Sequence, residues 1–142
     1  MKIDTNLNDM LNAVEVAADW VGLREVYEAH TPRMIRDGVP VENGRYSTHG
    51  IMVEVLVDGQ FGYYGTPDIS KEGVARASRK AFDQAKRASE YAIHKFTSEV
   101  RPKSVGNYKS PFLKDVRDVT AKELNVLLLE AYKQLKVSDK IL

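Results

Sequence analysis

The chain has 142 residues, a formal net charge of +1 and no cysteine. That length holds one domain with a proper core, or one domain and a short extension. The missing cysteine excludes disulfides, thiolate zinc sites and cysteine nucleophiles within the chain, and the balanced charge gives no general pull toward nucleic acid or an anionic membrane.

At the N-terminus, Met1-Lys2 leads into no apolar run, because Asp4, Asn6, Asn8 and Asp9 interrupt it. This is not the pattern of a secretory signal, and no apolar stretch approaches the roughly 20 residues of a membrane span. A soluble, cytoplasmic protein is the expectation. Leu7, Met10, Leu11, Val14, Ala17 and Ala18 recur at helical spacing, which predicts a helix over about 4–18 capped by Asp4, Thr5 or Asn6. From Trp20 to Ala29 the pattern turns to strand, with a slip in the alternation near Glu25 that marks a bulge or a twisted edge. Asp37-Gly38 suits a tight hairpin turn, Pro40 confines its strand to an edge, and Asn43-Gly44 offers a further turn.

Ile51, Val53, Val55 and Val57 alternate with Met52, Glu54, Leu56 and Asp58, the clearest strand in the chain. Asp58-Gly59 reverses it into 60–65, where Gly62 and Gly65 weaken the strand but allow another backbone to come close. Ser70 caps a helix expected to run to about Thr97, with Glu72 in its first turn. Its apolar side carries Val74, Ala77, Ala81, Phe82, Ala85, Ala88, Ala92 and Phe96; so many alanines imply close approach to a flat sheet. Glu72–Arg76 and Asp83–Arg87 have i, i+4 spacing. Residues 98–118, with Pro102, Gly106 and Pro111, read as an extended connector. Thr120-x-x-Glu123 is a capping box for a last helix whose face is Leu124, Leu127, Leu128, Ala131 and Leu135. The fold class is thus α+β: a small antiparallel sheet of about four strands, two long helices on one face, a connector and a C-terminal helix. The expected divisions are an α+β domain over 1–97, the connector over 98–118 and a helical region over 119–142. The leucine face of that last helix needs a partner, which raises the expectation of a fragment.

The residues present few chemical constellations. His30, His49 and His94 have no i, i+4 partner, and a site joining His30 and His49 needs carboxylates such as Glu28; strand-end histidines are the simpler reading. Gly59, Gly62 and Gly65 are followed by no lysine-serine pair, so they are no phosphate loop. Glu25, Glu28, Glu42, Glu54 and Asp58 show no spacing that selects a catalytic pair. Lys71, Arg76, Arg79, Lys80, Lys86, Arg87 and Lys95 form a basic stripe on the long helix, opposed by Glu72, Asp83 and Glu90; a solvated helix face explains it without nucleic acid. Phe61, Tyr63 and Tyr64 cluster on one strand, with Tyr64 on the opposite face from the other two. They either pack as core and edge residues or offer an aromatic surface beside a strand edge that takes up an extended peptide.

Taken in order, Ala18-Asp19-Trp20, Ile35-Arg36-Asp37-Gly38, the block GIMVEVLVDGQFGYYGTPDIS from Gly50 to Ser70, the Ala/Arg-rich helix, Tyr108-Lys109-Ser110-Pro111 and DVTAKELNVLLLEA resemble the N-terminal region of the TldD/PmbA metalloproteases, slightly more the TldD-like branch. The resemblance spans roughly 5–135 and consists of fold-type patterns. It implies a non-catalytic N-terminal domain that helps form a dimer, with a second copy or a family paralogue, and the cleft for a peptide substrate. The family's zinc chemistry depends on a His-Glu-x-x-x-His motif and a cysteine ligand, neither of which this sequence contains, so no catalytic or metal residue carries over and zinc is expected only in a C-terminal domain outside this chain. The family's older label, modulator of DNA gyrase, finds no support in the residues. A stand-alone peptide- or protein-binding regulatory module is the alternative, and a nucleic-acid or gyrase-associated protein the third; no membrane partner is expected.

Overall fold

The structure is a computed structural model and describes residues 6–109, 111–135 and 137–138. The fold is α+β. It contains α1 (Leu7–Leu11), β1 (Trp20–His30), β2 (Arg33–Arg36), β3 (Val39–Asn43), β4 (Tyr46–Val57), β5 (Gln60–Thr66), α2 (Lys71–Ser89) and α3 (Ala121–Leu135), with 3-10 turns at Ser98–Val100 and Val116–Asp118. The strands form a three-stranded sheet, in the order β1-β4-β5, and a separate two-stranded ribbon, β2-β3. No helix among the described residues is long and apolar enough to cross a membrane.

The chain divides into two compact units. The first comprises residues 1–28 and 47–104. Its centre is β4, whose Ile51, Val53, Val55 and Val57 are at most 4% exposed, as the alternation predicts. Burial of each such side chain contributes roughly 1.5–3 kcal/mol. β4 runs antiparallel to β5 with Val57 opposite Gln60 and Ile51 opposite Thr66. Asp58 (φ 50°) and Gly59 (φ 82°) supply the two positive-φ residues that a two-residue hairpin requires. The core face of β4 meets Val74, Ala77, Ala81 and Ala85 of α2. The alanines let the helix descend until a Cβ on Gly62 would stand 2.0 Å from the Ala81 carbonyl oxygen. Gly62 thus provides the close approach expected of it. Gly65 does not: a Cβ there would meet only Met52 Cε, at 3.9 Å.

A hydrogen-bond network starts α2. Ser70 Oγ accepts from Gly73 N (3.0 Å), as expected of the cap. Asp68 Oδ1 in turn accepts from both the amide and the hydroxyl of Ser70, and Asp68 pairs with Arg76. Ser70 and then Arg76 hold the Asp68 carboxyl below its ordinary value of 3.8. The Glu72–Arg76 pair is therefore replaced by Asp68–Arg76, while Arg87 donates to the Asp83 backbone carbonyl instead of its carboxylate.

Two helices are shorter than their periodicity suggests. α1 is a single short element, capped by Asn6; Asp4 and Thr5 lie outside the described residues. Beyond it, Val14, Val16 and Ala18 pack on the core from a non-helical segment, at a spacing of two. Only one long helix therefore covers the sheet. α2 stops at Ser89 because the following residues cross the β4–β5 turn, where Phe96 N donates to the Gly59 carbonyl (2.9 Å) and Gln60 Nε2 to the His94 carbonyl. Phe96 consequently lies outside the helix, and Ala88, although still within α2, is exposed.

The second unit comprises residues 29–46 and 105–142. In its ribbon Asp37 (φ 51°) and Gly38 (φ 75°) form the turn, and the register shifts between Met34 and Ile35 so that Ile35 faces Pro40. Each strand of a two-stranded ribbon is an edge, which accommodates the proline. Arg33 Nη1 donates to the carbonyls of Pro32 (2.8 Å) and Gly44 (2.6 Å) and closes the ribbon's open end. α3 begins with the predicted capping box: Thr120 N donates to Glu123 Oε2 (2.8 Å) and Glu123 N to Thr120 Oγ1 (3.2 Å). It packs against β2, with the Tyr132 ring 3.3 Å from the Cβ position of Gly38. Leu124 and Leu128 are half-buried there, whereas Leu127 and Leu135 of the same leucine face stay exposed.

Candidate functional site

The sheet face turned away from α2 carries the side chains with the most chemical character. Trp20 stacks edge-on against Phe61 (centroids 6.3 Å), and Phe61 also meets Tyr63 (6.3 Å) and Phe96 (5.6 Å). Arg101 lies over the Phe61 ring, 5.0 Å from its centroid, and its Nε donates to Glu54 Oε1 at 3.1 Å. Burial and the Glu54 carboxylate push the Tyr63 phenol above its ordinary value, and Glu54 followed by Tyr63 raises that of Arg101. Phe61 and Tyr63 thus share one face, and residues 94–101 bring them partners from beyond α2. Tyr64 stands on the other face, where Lys80 lies 4.7 Å above its ring and donates to its hydroxyl at 2.9 Å.

The β5 edge proposed for strand addition is already guarded. Tyr63 N donates to Gln84 Oε1 of α2 at 2.9 Å. An incoming peptide would have to displace that side chain to reach the amide. Three members of the basic stripe are likewise engaged in local contacts: Arg76 with Asp68, Lys86 with Asp58 (2.6 Å) and Lys80 with Tyr64.

At the far end of the same sheet face lies a shallow open depression of about 350 Å³. Arg24, Val26, Glu28, Met52, Thr66 and Pro67 line it. Gly50 and Gly65 also border it and contribute no side chain. Close by, His49 Nε2 lies 2.7 Å from Glu25 Oε1, and the Glu25 side chain is only 3% exposed. This buried contact explains the slip in the strand pattern: an acidic residue occupies an inward position because His49 meets it there. His49 also packs edge-on against Tyr27 (5.9 Å), whereas His30 stacks on Tyr46 (4.9 Å) in the second unit. Among the described residues no three His, Cys, Asp or Glu side chains converge to hold a metal ion. The Glu25–His49 contact was not legible in the sequence, where the misplaced acid was its only trace.

Residues 22–85, from β1 through most of α2, match the family model described as PmbA/TldA metallopeptidase domain 1. No curated protein and no solved structure matches the chain. The matched stretch holds the three-stranded sheet, the ribbon and the helix that buries the core, and over these residues the chain is similar to that first domain.

Proposed function

We propose that this chain serves its parent peptidase as a non-catalytic N-terminal scaffold that contributes to a dimer and to the walls of a peptide cleft, with the zinc chemistry performed by a C-terminal region. The observation that carries the reading is the family match over Gly22–Ala85, which falls on the elements that build the sheet and its core. The depression bordered by Gly50 and Gly65 adds to it: an open sheet face with apolar, cationic and anionic groups around it suits an extended peptide. The guarded β5 edge weighs against a stand-alone module that captures peptides there, and the engaged basic residues weigh against a nucleic-acid surface. The test is metal analysis, peptidase assay and light scattering on the purified chain. Absence of peptide cleavage, with self-association or capture by a family paralogue, is the expected result. Stoichiometric zinc accompanied by cleavage would refute it.

A further inference from the structure

We infer that the depression on the outer sheet face captures the C-terminal residue of a peptide, with its carboxylate on Arg24 and its apolar side chain over Gly65. The inference rests on the peptide-cleft reading above and names the end of the peptide that this wall holds. Gly65 supplies the first observation. A glycine inside a strand is destabilising by roughly 0.5–1 kcal/mol relative to alanine. The usual reasons for one are missing here: Gly65 has no positive φ, and a Cβ on it would meet only Met52 Cε, at 3.9 Å. Gly50, which borders the same depression, differs, because a Cβ there would stand 2.6 Å from the Thr66 carbonyl oxygen. Packing thus requires Gly50 and does not require Gly65. What the bare backbone at Gly65 provides is room for a group from outside the chain.

The surroundings state which group fits. Val26, Met52 and Pro67 give the depression, of about 350 Å³, its apolar lining. Arg24 borders it, is exposed, and takes part in no hydrogen bond or ion pair among the described residues. The other titratable groups at the rim are engaged: His49 Nε2 lies 2.7 Å from Glu25 Oε1, and Glu28 has an interaction within the chain. The site is therefore an apolar hollow beside one guanidinium with unused donors. A guanidinium fork matches a carboxylate through two parallel N–H···O bonds. Arg24 and Val26 are same-face neighbours on β1, about 7 Å apart along the strand. A single C-terminal residue bridges that spacing with its carboxylate and a large apolar side chain. An internal apolar residue brings no carboxylate to Arg24, and an acidic side chain brings nothing apolar to the hollow.

The probes are an N-acetylated tetrapeptide ending in leucine, as the free acid and as the C-terminal amide. Each is titrated into the purified chain while the backbone amide signals of Gly50 and Gly65 are followed by NMR. The free acid should bind about ten-fold tighter than the amide, and R24Q should abolish that difference. Gly65→Val fills the hollow and should weaken binding of the free acid about ten-fold. Arg24 is exposed and a side chain at Gly65 meets open space, so melting curves of both variants should match the unaltered chain. Equal binding of acid and amide, a preference for the acid that survives R24Q, or an affinity unmoved by Gly65→Val would refute the carboxylate site and leave the peptide-cleft reading standing. A chain that takes up neither form of the peptide would overturn both.

Discussion

Gly62→Ala tests the helix–sheet contact on which the first unit depends. The added methyl would sit 2.0 Å from the Ala81 carbonyl oxygen and 2.9 Å from the Ala85 amide nitrogen. Both are backbone atoms of α2, so relief requires the helix to move away from β5 and opens gaps beneath Val74, Ala77 and Ala81. Overpacking of this kind costs about 1–3 kcal/mol, and a rigid helical obstacle places this site at the upper end. At roughly 4 °C per kcal/mol the melting temperature should fall by about 10 °C. Gly65→Ala is the matched control on the same strand: its methyl meets only Met52 Cε at 3.9 Å, so its melting temperature should stay within about 2 °C. Thermal unfolding followed by circular dichroism measures both. If Gly62→Ala melts with the unaltered chain, or if the two variants fall equally, the close approach of α2 to β5 is not as described.

Asp68 should create an acid limb in the stability curve. Its carboxyl lies below the ordinary 3.8, so the stabilisation from Ser70 and Arg76 is complete above that pH and is lost as pH falls through the folded-state value; D68N should flatten this limb in melts taken across acidic buffers. Ser70→Ala should lower stability by about 1 kcal/mol through loss of the bond to Gly73 N, measurable by urea unfolding. Gln84→Ala frees the Tyr63 amide, so its hydrogen exchange should accelerate while core amides of β4 change little. Thr120→Ala removes the hydroxyl that joins Glu123 to the start of α3 and should cost about 1 kcal/mol of helix stability, whereas Thr120→Ser should be close to neutral.

Local chemistry made much of this architecture legible. The β4 alternation, the Asp58-Gly59 turn, the Ser70 cap and the Thr120–Glu123 box each depend on residues within a few positions of one another, and each forms as read. The N-terminal segment misled because Val14 and Ala18 fit a helical spacing with Leu7, Met10 and Leu11, whereas it is the alternating set Val14, Val16 and Ala18 that packs on the core. The end of α2 misled for a different reason: Ala92 and Phe96 continue the helical spacing, but Gly59 and Gln60, more than thirty residues upstream, draw that segment across the hairpin. The sheet of about four strands resolves into three strands and a ribbon, since nothing local states that β1 pairs with β4 past an intervening hairpin. The aromatic strand was visible, yet the partners of Phe61 arrive from Trp20, Phe96 and Arg101, and such distant meetings leave no periodicity to detect. Arg76 was assigned its helical neighbour Glu72, while the better-placed acceptor sits in the loop before the helix.

Every hydrophobic core residue among those described lies between Ile51 and Ala85. That stretch is contiguous: a hairpin closed by two residues, then a helix that folds back onto it. Its contacts span short distances along the chain and incur little loop-closure entropy, so it is equipped to nucleate folding. β1 can join only after the 15 positions between His30 and Tyr46, which carry the ribbon, have been looped out, and thus docks late on a template that already exists.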